Sequence, residues 1–160
     1  MVKLQSVIAA TGLVSLLAST TPAAGVKARK AVMYGVIHAD KVAHNALASY
    51  LIQLKEEGYT HLAVEERPAS YAELSDYIAK RKDQDHLSYD IQNRIKNQPH
   101  LIDLFKTALD LGYTIIPFDV ERGQGQNKDK EMAENIERSL PSNGRVVIVT
   151  GAWHINERDS

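Results

Sequence analysis

The chain has 160 residues, of which 44 % are apolar and 24 % charged, with a net charge of −1. These values exclude wholesale disorder and fibrous classes and predict a single globular domain, with or without a targeting segment. The near balance of charge gives no global attraction to nucleic acid or to an anionic membrane, and cysteine is absent. That absence excludes disulfide scaffolds, thiol nucleophiles, Cys-ligated zinc and iron–sulfur clusters, so a metal would be held by histidine, carboxylate and water.

The N-terminus has the order of a secretory signal. Lys3 is followed by an uncharged run from Leu4 to Val26, with an apolar middle and a small-residue region, Ser19-Thr20-Thr21-Pro22-Ala23-Ala24-Gly25. Residues 1–24 are therefore expected to act as a signal peptide, and the protein to be periplasmic or secreted. Thr11, Gly12 and Ser15 interrupt the apolar middle, so no stable membrane span is expected. The alternative is an amphipathic helix that packs on the domain of a cytoplasmic protein.

Residues 27–160 alternate strand and helix. The apolar run 31–37 predicts a buried strand, and 39–57 a helix that stops at Gly58. Residues 60–65 predict a second strand, broken by Arg67-Pro68. Helical spacing follows over 71–81, then a polar hinge over 82–86 and a short helix over 89–96. The segment 99–111 predicts a clearer helix, opened by Pro99 and closed by Gly112. A third strand over 113–120, a flexible loop over 123–127, a helix over 129–140 and a fourth strand over 144–150 complete the chain. This alternation predicts an α/β fold: a mostly parallel sheet with helices on both faces. Ligands of such sheets sit outside the carboxyl ends of the strands.

Each strand delivers ionisable groups to that rim. The first runs into Gly35-Val36-Ile37-His38 and the second into Glu65-Glu66-Arg67. The third ends in Asp119 with Glu121 and Arg122 beyond, and the fourth runs into Gly151-Ala152-Trp153-His154. Glycine at a strand exit permits a sharp turn or close approach to a ligand. Histidine there can bind metal or carry a proton near neutral pH. His38, Glu65 and His154 could hold a divalent cation such as manganese, cobalt or zinc with a position open for water, or act as base and acid without metal. Asp119 is a further catalytic candidate, and Arg122 and Trp153 are candidates for substrate binding. The bland alternatives are a helix-start or surface role for each histidine, an ion pair with Arg67 for Glu65, a cap for Asp119 and core packing for Trp153. His44 is expected to be packed or exposed, and His61, His86 and His100 to lie away from the rim. No P-loop, Gly-x-Ser-x-Gly elbow or His-Glu-x-x-His motif occurs.

The paired motifs Gly35-Val36-Ile37-His38 and Gly151-Ala152-Trp153-His154 resemble those of the Tiki/TraB/ChaN/erythromycin-esterase superfamily. So does the acidic end of the second strand, Ala63-Val64-Glu65-Glu66-Arg67. The segments Ile115-Ile116-Pro117-Phe118-Asp119 and Lys130-Glu131-Met132-Ala133-Glu134-Asn135-Ile136 are similar to the ChaN-like branch. The resemblance runs over roughly residues 30–155. It implies an α/β domain whose His38, Glu65 and His154 form a metal site for peptide cleavage, as in Tiki and TraB members, or a general-base site for ester hydrolysis. ChaN-like members imply haem or iron binding instead, with Tyr34 and His38 as candidate axial ligands. Related domains also occur in bacterial toxins. The first motif lacks the acidic residue of the Gly-Glu-x-His form, which weighs against the esterase branch. Relatives usually continue with another helix and strand, and only six residues follow His154. A shortened member with uncovered sheet edges is expected to form a homodimer. Two functions stay open: a hydrolase acting on a small-molecule or peptide substrate, and a haem- or iron-binding or non-catalytic interaction domain.

Overall fold

The computed structural model describes residues 3–8, 14–19, 30–36, 40–120 and 128–151. Strands β1 (Lys3–Ile8), β2 (Val14–Ser19), β3 (Lys30–Val36), β4 (His61–Val64), β5 (Thr114–Pro117) and β6 (Arg145–Gly151) form one sheet in the order β1-β2-β3-β6-β4-β5. Four of them, β3, β6, β4 and β5, are mutually parallel, while β1 and β2 add to β3 as an antiparallel hairpin. Helices α1 (Lys41–Glu56), α2 (Pro68–Ile78), α3 (Tyr89–Asn97), α4 (Pro99–Asp110) and α5 (Lys128–Ser139) fill the connections. The α/β class expected from the alternation is the observed one.

Period-two alternation sorts each strand between two cores. Val32, Tyr34 and Val36 of β3 and Val147 and Val149 of β6 face a large core that also holds Leu47 and Leu51 of α1, Leu74 of α2, Ile91 of α3 and Phe105 of α4. Val146 and Ile148 of β6, with Ala63 and Ile116, face a smaller core closed by Met132 and Leu140 around α5. Helices therefore cover both faces, unequally.

Local chemistry fixes the helix ends that aim the strands. Asp40 caps α1, its carboxylate accepting from the backbone N–H groups of Val42 at 2.9 Å and Ala43 at 3.0 Å. At the other end, Gly58 has φ +88°, Gly58 N–H donates to the Lys55 carbonyl and Tyr59 N–H to the Leu54 carbonyl. Gly112 at φ +73° repeats this closure after α4, with Tyr113 N–H donating to the Ala108 carbonyl. Both are Schellman caps, in which a left-handed residue satisfies the last carbonyls of the helix. The tyrosine that follows each glycine is buried, and the next residues enter β4 and β5 in parallel register, His61 opposite Thr114.

Three boundaries differ from the sequence reading. Pro68 does not merely break the second strand; it opens α2 at the first helical position, where its missing N–H costs nothing. β5 ends at Pro117, three residues short of the expected strand, because Phe118 and Asp119 turn their N–H groups to the Val64 and Glu66 carbonyls at the end of β4. The stretches 3–8 and 14–19 are extended and not a packed amphipathic helix; they pair with each other and with β3. Residues 20–25, where cleavage is expected, and the loop 123–127 lie outside the described residues. Among the described residues no helix is long and apolar enough to cross a membrane.

Candidate functional site at the carboxyl ends of the strands

The last strand, β6, lies between β3 and β4. Its register with β3 sets Gly35 opposite Thr150 and Val36 opposite Gly151. The two Gly-x-x-His frames thus leave neighbouring parallel strands at the same end of the sheet, one residue out of step. His38, Arg122, Trp153 and His154 themselves lie outside the described residues.

Glu65 joins the second of these strands, β6, to its other neighbour, β4. It follows β4 directly, and its N–H donates to the Val149 carbonyl at 3.3 Å. Its Oε2 accepts from Thr150 Oγ1 at 3.0 Å and from the Gly151 N–H at 2.8 Å. The carboxylate therefore grips the start of the second glycine–histidine motif. Lys128 pairs with the same carboxylate, its Nζ 3.4 Å from Glu65 Oε1.

Asp119 shares that ammonium. Lys128 Nζ is 3.0 Å from Asp119 Oδ1, so one lysine at the first turn of α5 bridges the carboxylates that end β4 and follow β5. Burial by itself would lower the pKa of Lys128, but the hydrogen bond and charge of Asp119, and then those of Glu65, raise it above the ordinary value. The lysine is held as an ammonium ion. Asp119 also accepts from the Val120 N–H at 2.9 Å, and Asn135 Nδ2 donates to the Phe118 carbonyl at 3.1 Å and anchors α5 beside it.

Glu66 points elsewhere. It is 6 % exposed and pairs with Arg94 of α3 through Arg94 Nη1. This pair lines a cavity of about 80 Å³ together with Glu65, Gln98, Phe105 and Thr150. His44 also borders it. His44 is buried, its Nδ1 lies 2.8 Å from the Asp40 carbonyl, and its ring centroid is 4.7 Å from that of His100. A carbonyl only accepts, so Nδ1 carries a proton and, in the neutral ring, Nε2 carries the lone pair. His100, set aside on sequence as remote from the rim, is thus buried behind it. His61 lies at the other end of β4, as expected, with Nδ1 2.8 Å from Thr60 Oγ1. A larger cavity of about 360 Å³ lies on the α5 face, walled by Met33, Phe118, Met132, Ile136, Leu140 and Ile148.

Of the expected site residues, Glu65 and Asp119 are described and lie at the rim beside Glu66; Arg94, Gln98, His44 and Lys128, which the sequence does not single out, lie against them. The four-residue spacing of Arg94 and Gln98, continued by that of Leu101 and Phe105, was the available signal. On sequence alone it is indistinguishable from an ordinary polar-then-apolar helix face.

Among the described residues no three histidine or carboxylate groups converge as metal ligands. Glu65 and Asp119 already share the Lys128 ammonium, so a cation bound to both would compete with an internal positive charge. The expected metal set is His38, Glu65 and His154; both histidines lie outside the described residues, and Glu65 is paired with the Lys128 ammonium. Tyr34, the tyrosine considered for haem, is 2 % exposed and meets Tyr50 of α1 edge-on at 5.9 Å between ring centroids. It packs in the core and presents no open face to a cofactor.

No family model and no curated protein matches the chain. Two solved structures described as bacterial protein toxins are similar in fold. One has a TM-score of 0.52 at 18 % identity over 77 % of this chain, the other 0.53 at 18 % identity over 85 %. The matched region is 28 % and 30 % of those proteins, so the chain spans less than a third of their length. At that identity the likeness establishes a shared α/β fold.

Proposed function

We propose that the chain is a hydrolase domain of the Tiki/ChaN/erythromycin-esterase type, acting on a peptide or ester carbonyl at the carboxyl rim of the sheet. The observation that carries this reading is the Glu65 carboxylate, bonded to Thr150 and Gly151 beside the exit of β3. It ties the end of β4 to the end of β6, the strand that runs into His154, and β6 lies directly beside β3, the strand that runs into His38. In the reaction, a histidine of the pair takes a proton from water. The oxygen adds to the carbonyl carbon, and collapse of the tetrahedral intermediate breaks the C–N or C–O bond as the leaving group takes up a proton. Asp119 and the Lys128 ammonium supply opposite charges at the rim, the latter suited to a developing oxyanion. Arg122 and Trp153 would contact substrate. The shared ammonium favours the metal-free form of this chemistry over manganese, cobalt or zinc.

The test uses the full-length protein beside His38→Ala, His154→Ala and Glu65→Gln. Hydrolysis of an ester or peptide panel that all three variants lower by about a hundredfold or more supports the reading. Wild-type rates in His38→Ala overturn it. Calorimetric titration with manganese, cobalt and zinc accompanies the assay. Near-stoichiometric binding lost in both histidine variants would restore the metal form.

A second reading has one observation behind it. Glu65 and Glu66 both hold strand ends and helices in place, as a purely structural or ligand-binding domain would require. On that reading the chain is a non-catalytic interaction domain, or binds haem or iron, and rim substitutions alter stability alone. The N-terminal segment keeps its proposed role in secretion. Its removal would take away the β1–β2 hairpin, uncover the edge of β3 and favour a homodimer through that edge.

A further inference from the structure

The cavity between the end of β4 and the junction of α3 and α4 has a use that the rim chemistry does not exhaust. Its polar wall comes from Arg94 of α3 and from Gln98, the residue that joins α3 to α4. Arg94 and Gln98 stand four residues apart, linked by the bond from the Gln98 N–H to the Arg94 carbonyl at 2.8 Å. Its apolar wall comes from Leu101 and Phe105 of α4. Glu65 and Glu66 close it toward the sheet.

Arg94 has five N–H groups, and one guanidinium nitrogen is turned to Glu66. That pairing fixes the plane of the guanidinium and leaves further donors for a ligand. The Gln98 carboxamide makes no hydrogen bond to another described side chain and is half-buried. It offers both a donor and an acceptor. The charges of the lining decide between ligand classes. Glu66 is paired with Arg94 and Glu65 with the Lys128 ammonium, so the wall presents no unbalanced charge to draw in a free anion or cation. A neutral group with both an acceptor and a donor matches the wall best, and a carboxamide is such a group. An ester presents acceptors only and leaves the Gln98 oxygen unmatched. Size narrows the choice: a cavity of about 80 Å³ is roughly half the engineered cavity that takes a benzene ring, so a short aliphatic amide fits and an aromatic ring does not.

We infer that this cavity is an amide-recognition subsite in which Arg94 and Gln98 bind a small neutral carboxamide or peptide group against Leu101 and Phe105. Calling it a substrate subsite rests on the proposed hydrolase reading, and it narrows that reading from peptide or ester to amide. The binding itself does not depend on hydrolysis.

The test is a nitrogen-15 and proton NMR titration of the full-length protein with propionamide, propionate and propylammonium. Propionamide is expected to give saturable shifts at the Arg94 and Gln98 side-chain N–H signals, with a dissociation constant on the order of 10 mM, weak as suits five heavy atoms. Propionate and propylammonium should bind at least fivefold more weakly. Gln98→Leu should weaken propionamide at least fivefold while the remaining spectrum stays that of the wild type. Arg94→Lys, which keeps the charge beside Glu66 but loses the planar fork, should do the same. Propionate binding as well as propionamide, shifts that do not saturate, or an unchanged Gln98→Leu titration would each overturn the subsite. Propionamide binding together with a hydrolytically silent rim would refute the hydrolase reading and leave the subsite standing.

Discussion

Replacing Glu65 tests whether the rim is assembled by one carboxylate. In Glu65→Ala the Gly151 N–H and the Thr150 hydroxyl lose their acceptor, at 2.8 Å and 3.0 Å in the native protein. The Glu65 side chain is 12 % exposed, so water replaces it poorly. A hydrogen bond to a charged group contributes about 1.5–3 kcal/mol. The Lys128 contact adds little, because that ammonium is 44 % exposed and retains Asp119. The expected loss is therefore about 3 kcal/mol, which corresponds to a fall in Tm of about 6–12 °C for a chain of this length. Glu65→Gln keeps one acceptor oxygen and should lose only about 1 kcal/mol. Thr150→Val removes a single bond, and a double-mutant cycle with Glu65→Ala should return a coupling of about 1 kcal/mol. Urea denaturation measures the losses, and hydrogen exchange at the Gly151 amide reports the local opening. A Glu65→Ala protein within about 0.5 kcal/mol of wild type, or a cycle with no coupling, would refute the reasoning.

The Glu66–Arg94 pair predicts an asymmetry: Arg94→Leu takes the guanidinium from a carboxylate that is 7 % exposed and should cost about 3 kcal/mol, whereas Glu66→Ala removes the partner of a guanidinium that is 29 % exposed and should cost about 1 kcal/mol, both read by urea denaturation. Gly58→Ala should destabilise by about 1–2 kcal/mol, since alanine is strained at φ +88° and its Cβ would lie 3.3 Å from Arg145 Nη1; differential scanning calorimetry measures it. Burial pushes the Tyr113 pKa up to about 12, with the charges of Glu57 and Tyr59 adding to the rise. The folded state holds that proton more tightly than the unfolded state, so the contribution is complete below pH 10 and is lost as pH rises from about 10 to 12. Denaturation midpoints across that window should fall by on the order of 2 kcal/mol, and Tyr113→Phe should flatten the fall.

The local half of this protein is legible in its sequence. Continuous apolar runs such as 146–149 marked the strands, four-residue spacing in Leu101, Phe105 and its neighbours marked the helices, and Gly58 and Gly112 marked helix ends because only glycine takes their positive φ without strain. The alternation of these elements determined a parallel sheet and, with it, which end of the strands carries Glu65 and Asp119. Tertiary structure decided the rest. Insertion of β6 between β3 and β4 is a matter of long-range pairing, which no local pattern encodes, and it alone brings Thr150 and Gly151 to Glu65. Lys128 reaches Glu65 across 63 positions, and Arg94 reaches Glu66 across 28. In sequence these are ordinary charged residues on amphipathic helices. Whether such a charge faces water or a buried partner depends on how the helix is laid on the sheet, and that is set by the packing of the whole core.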